Sequence, residues 1–182
     1  MFPGVFGSMI FDSIFNRLSK GYSPGKPNIL RLSKKDASNE LVKNGEDMAN
    51  AKRYDEALTF FEKALSINPN NDMAWGDKAL ILDKVGNTEE ALLSFSKAIS
   101  INPNNSITWL NKGLTLLRMR KFNESIECFD TAIKLDNSYA KAWYNKGRAL
   151  AMLGENDKSQ PCLDKARKLD PMLYAKLTRL KF

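Results

Sequence analysis

Cys128 and Cys162 are the only thiols in a chain of 182 residues that contains no histidine, and they stand 34 positions apart. Two thiols could close a disulfide, hold a metal or supply a nucleophile. A metal site or a redox pair asks for closely spaced cysteines or histidines, and this chain has neither, so the commonest metal ligand and general base is missing. If both thiols occupy one position of consecutive repeating helices, an interhelical spacing of ~8–10 Å separates them. A disulfide reaches only about 7 Å between Cα atoms. The acids Glu89, Glu90 and Glu124 read as solvated, and no phosphate-cradling loop or nucleophile with a base at usable spacing accompanies them. The expectation is a non-enzymatic protein without cofactor or metal, in a reducing, cytoplasmic setting.

The elements that place these residues are repeated. Trp75, Trp109 and Trp143 fall 34 residues apart, and the positions around them keep step. Counting units from Ser38, Asp72, Ser106 and Ala140, the fourth position is Leu41, Trp75, Trp109 and Trp143, which reads as a large anchor. The eighth is Gly45, Ala79, Gly113 and Gly147, small enough for two helices to approach. The eleventh, Met48, Leu82, Leu116 and Leu150, completes an apolar stripe at helical spacing. In the second half of each unit, small residues (Ala57, Ala91, Ser125, Ser159) alternate with Phe61, Phe95, Phe129 and Leu163, then with Ala64, Ala98, Ala132 and Ala166. The units stop at Asn68-Pro69, Asn102-Pro103, Asp136-Asn137 and Asp170-Pro171, because proline cannot continue a helix and pushes its predecessor extended. Pro161 predicts a second helix of the fourth unit that starts late or kinks. Leu177 and Leu180 repeat the fourth and seventh positions of a further first helix.

Residues 38–171, best seen in AWGDKALILDKVGNTEEALLSFSKAISINPNN and AWYNKGRALAMLGE, resemble the tetratricopeptide repeat family. The resemblance implies an all-α fold, a right-handed superhelical solenoid of four antiparallel helix pairs. Repeats of this length cannot bury an apolar face alone and must stack. It predicts three segments: residues 1–37 as an amphipathic helix and basic linker, 38–171 as the four repeats, and 172–182 as a capping helix.

In the family the first helices line a concave groove. Carrying its positions over gives Met73, Asp77, Leu80 and Lys84 from the second unit, and Ile107, Leu110, Asn111, Leu114, Leu117 and Arg118 from the third. The fourth adds Lys141, Tyr144, Asn145, Arg148 and Met152. Leu80, Leu110, Leu114 and Leu117 are spare to the packing stripe and predict an apolar floor open to a ligand. The other reading is that curvature buries these leucines among themselves. A subclass of the family clamps a chaperone's C-terminal carboxylate with Lys, Asn, Asn, Lys and Arg. This chain matches only Asn111 and Lys141, with Gly76, Leu80 and Asn145 elsewhere, which argues against that clamp because a buried carboxylate needs several convergent donors.

The formal charge is +7. Residues 1–37 hold six bases (Arg17, Lys20, Lys26, Arg31, Lys34, Lys35) against Asp12 and Asp36, leaving 22 bases and 19 acids, or +3, for the rest. Phe2, Val5, Phe6, Met9, Ile10, Ile14, Phe15 and Leu18 recur at helical spacing, predicting an amphipathic helix over about residues 8–20 and a basic linker over 21–35. The apolar run is too short to span a bilayer and has no base ahead of it, unlike a signal peptide. Residues 1–20 could dock on the chain's own repeats or self-associate, lie on an anionic membrane, or stay unordered. The leading expectation is a protein-interaction scaffold holding a protein or peptide partner in the groove. The alternative is nucleic-acid or anionic membrane-surface binding through residues 1–37. For nucleic acid no base-reading motif speaks.

Overall fold

The computed structural model describes residues 33–179. Among them are nine helices and no strand: α1 (Lys34–Asn50), α2 (Tyr54–Ile67), α3 (Asp72–Lys84), α4 (Thr88–Ile101), α5 (Ser106–Arg118), α6 (Phe122–Leu135), α7 (Ala140–Met152), α8 (Asn156–Leu169) and α9 (Pro171–Arg179). Helices pair as α1 with α2, α3 with α4, α5 with α6 and α7 with α8. Successive pairs stack through α2–α3, α4–α5 and α6–α7, while α1, α3, α5 and α7 touch in a row. None of the described helices is long and apolar enough to cross a membrane. The expected helix and docking of residues 1–20 lie outside the described residues.

The chain breaks where its stop signals stand. Asn68, Asn102, Asp136 and Asp170 terminate the second helices with φ between −131° and −146°, the extended backbone that a following proline favours. Asn71 and Asn105 then cap α3 and α5 by accepting from Ala74 N at 3.1 Å and Thr108 N at 3.2 Å. Two boundaries differ from the sequence reading. Lys34 and Lys35, read as linker, already belong to α1, because Ser33 Oγ accepts from Asp36 N at 3.2 Å and starts the helix at that point. The helix α8 begins on schedule at Asn156 and runs through Pro161 rather than starting late. Pro161 lies on the exposed side of α8, where a carbonyl left without its helical donor can face water.

Packing explains the period. Phe61, Phe95 and Phe129 are the largest fully buried side chains, each seated against the small eighth position of its own unit. A methyl group on Gly45 would come 2.5 Å from Phe61 Cε1, on Gly113 2.6 Å from Phe129 Cε1, and on Gly147 2.8 Å from Leu163. Phenylalanine fills the core, and the tryptophans expected as anchors pack against it half-buried. Their indole N–H groups donate to the carbonyls of Pro69, Pro103 and Asn137 at 2.8, 2.9 and 3.0 Å. Lys78, Lys112 and Lys146 lie over the same rings at 5.9–6.0 Å, a cation–π column the sequence reading missed.

The turns inside each pair repeat as well. Lys52, Gly86, Arg120 and Gly154 hold φ of 61°, 90°, 61° and 83°. Two of the four are not glycine, in a region L-residues enter at a cost of ~1–2 kcal/mol.

Candidate interaction cleft

The row α1, α3, α5 and α7 carries two joined clefts. One, of about 570 Å³, is lined by residues of α1 (Glu46, Ala49, Asn50), α3 (Asp77, Leu80, Ile81, Asp83, Lys84) and α5 (Asn111, Leu114, Arg118), with Phe61 beneath. The other, of about 680 Å³, runs on past Leu114, Leu117 and Arg118 to Arg120, Phe122, Arg148 and Met152. Leu114 and Arg118 belong to both, so the surface is continuous.

The apolar floor is narrower than the sequence suggests. Leu110 and Leu117 are 1% and 6% exposed, packed with Phe129, Ala132, Ile133, Ala142 and Ala149. They belong to the core because α7 brings Ala142 and Ala149 over them, which a single-helix face count cannot see. Leu117 only edges the cleft. Leu114 is half-buried against the same cluster, and Leu80, 37% exposed, is the leucine most open to a ligand. Met73 and Ile107 are 52% and 59% exposed but, like Lys141, line neither cleft. Tyr144 and Asn145 are buried. The Tyr144 ring meets Tyr174 edge-on at 5.7 Å and its hydroxyl donates to Leu177 O at 3.2 Å, so α9 covers it. Asn145 is held inside its own helix, donating to Lys141 O at 2.8 Å and accepting from Arg148 at 3.2 Å.

Asp77, Lys84, Asn111, Arg118 and Arg148 do line the surface. Arg118 pairs with Asp83, tying α5 to α3 across the floor. Lys84 lies over the Tyr54 ring at 5.5 Å. Burial, reinforced by the charge of Glu46, pushes the Asp77 carboxyl up to about 7. Glu46 and Asp83 were missed although the same rule reaches them: they are the ninth position of the first unit and the twelfth of the second. Arg120 had no such signal, since it lies in a turn. The thiols take no part. Cys128 and Cys162 are free and buried, and burial raises both, Cys128 to about 11, so each is protonated at neutral pH.

Helix pairs stacked in series over successive buried clusters, with one row of helices left open, define a helical-repeat solenoid. Two models described as tetratricopeptide repeat match residues 49–110 and 110–172. The chain belongs to the tetratricopeptide repeat family, whose domains mediate protein–protein interaction. Among solved structures it resembles a MamA RS-1 double mutant (TM-score 0.70, 20% identity, 76% of this chain and 78% of that one). It also resembles pilF of Pseudomonas aeruginosa (0.71, 18%, 76% and 63%) and TTC0263, a thermophilic TPR protein of Thermus thermophilus (0.65, 23%, 74% and 75%). These likenesses concern the fold. No curated protein matches the sequence.

Proposed function

We propose that this chain is a non-enzymatic scaffold that holds a peptide segment of a partner protein along α1, α3, α5 and α7. The observation that carries the reading is the continuity of the two clefts through Leu114 and Arg118, which gives an extended, partly apolar, charge-lined track rather than an enclosed chamber. Asp77, Leu80, Lys84, Asn111, Leu114, Arg118 and Arg148 are its contact residues, with Glu46 and Arg120 added by the fold.

The test compares partners recovered from the native source on the full chain and on its Leu80→Asp variant. Leu80 touches no core cluster, so the variant should keep its helical content and lose the partner. Undiminished recovery by Leu80→Asp would refute the reading. Leu114→Asp, which sequence alone would choose, is a poorer probe because Leu114 also packs on the core.

A further inference from the structure

Acids without an ion-pair partner stand at one end of this track and arginines without one at the other, although Lys84, held over the Tyr54 ring, adds a cation at the acidic end. At the end formed by α1 and α3 stand Glu46 and Asp77, and at the other end Arg120 and Arg148. Between them the opposite charges of Asp83 and Arg118 cancel in an ion pair. Among the described residues none of the four end groups has an ion-pair partner. Arg148 leans on the Tyr144 ring at 5.9 Å and Arg120 on the Phe122 ring at 6.0 Å, contacts that hold a guanidinium without neutralising it.

Arg120 carries a second mark. Its φ of 61° is the turn conformation that Gly86 and Gly154 fill in the second and fourth units and Lys52 shares in the first, and of the two charged residues at this turn only Arg120 lines the cleft.

Resting on the groove reading above, we infer that the cleft selects a peptide by charge order. A lysine or arginine of the guest sits against Glu46 and Asp77, an aspartate or glutamate sits against Arg120 and Arg148, and an apolar residue between them covers Leu80 and Leu114. Asp77 lies in α3 and Arg148 in α7, two first-helix spacings of ~8–10 Å apart. An extended guest rising ~3.3 Å per residue covers that distance in about five or six residues. A guest of reversed order would set like charges against each other at both ends, so the arrangement also rejects. The groups facing the guest's cation are Glu46 from α1, Asp77, Asp83 and Lys84 from α3, and Asn111 and Arg118 from α5. An arriving cation opposes the burial and repulsion that raise Asp77 and draws its proton off, so such a guest binds more tightly as pH rises from about 6 to 8.

The experiment pans the full chain against a library of short random peptides, then measures the selected peptides and their order-reversed counterparts by fluorescence anisotropy. The expected result is a base and an acid about five or six positions apart in one order, and a loss of about tenfold in affinity on reversal. The double variant Glu46→Gln with Asp77→Asn should erase the preference for the base. Arg120→Gly should weaken the preference for the acid while making the protein more stable, which separates charge from folding. Peptides that bind and are weakened by Leu80→Asp, yet show no charge order, would overturn this inference and leave the groove reading intact. Peptides indifferent to Leu80→Asp, or none selected, would overturn both.

Discussion

Trp109 donates its indole N–H to the carbonyl of Pro103 at 2.9 Å, pinning the start of α5 to the turn it has just left. The same bond joins Trp75 to Pro69 and Trp143 to Asn137. The acceptor is a backbone carbonyl, so proline and asparagine serve equally, which explains why the one departure from the proline schedule leaves the fourth unit in register. It also explains why the tryptophans stay half-buried: the ring packs on the core while its edge reaches outward to the turn.

Trp109→Phe should therefore keep most of the packing and lose one hydrogen bond, lowering stability by about 0.5–1.5 kcal/mol in urea unfolding. Asn137→Pro should raise it by about 0.4–1 kcal/mol, because Asp136 already holds the extended backbone a following proline requires. A destabilising Asn137→Pro would show that the Asn137 side chain or N–H matters more than its carbonyl.

Two glycines on first helices should respond in opposite directions to the same change. Gly113→Ala drives a methyl group into Phe129 and should lose about 1–3 kcal/mol. Gly76→Ala meets nothing within 4 Å and should gain up to about 1 kcal/mol from helix propensity alone. Thermal melts of the two variants give the comparison, and equal shifts would contradict the packing described for the eighth position.

Arg120→Gly and Lys52→Gly relieve a left-handed backbone and should each stabilise by about 1 kcal/mol, read as a higher denaturation midpoint at unchanged slope. The reverse change, Gly86→Ala, should destabilise by a similar amount. No gain from either glycine would mean that the side chains of Arg120 and Lys52 offset the strain.

Asp77 makes stability depend on pH. Its native carboxyl is raised to about 7 from an ordinary value of 3.8. Between those values the unfolded chain has released this proton while the native chain keeps it, so the native state binds more protons and stability falls as pH rises from about 4 to 7, levelling off above. Asp77→Asn removes this dependence. The variant should come close to the wild type near pH 4 and exceed it by on the order of 4 kcal/mol at pH 8. Parallel stability curves for the two proteins across that window would rule out a raised Asp77.

The sequence by itself determined the repeat, its 34-residue length and the breaks between helices, because these are set by residues acting on their own backbone: prolines that stop a helix, asparagines that cap one, and small and large positions that alternate at helical spacing. That Asp77, Leu80, Lys84, Asn111, Arg118 and Arg148 face a common groove was implied by the resemblance to the repeat family, not by these residues alone. What only the tertiary structure decided is which part of that groove stays open. Leu110, Leu117 and Tyr144 have the same helical positions as groove residues, yet the neighbouring α7 closes over the two leucines and α9 over the tyrosine. Helical periodicity fixes the direction in which a side chain leaves its own axis, whereas exposure depends on how closely the next helix approaches. The same limit hid Arg120, whose place at the cleft comes from the path of a turn. It hid the raised Asp77 too, because a carboxyl's proton affinity follows from the burial and the charges that folding gathers around it.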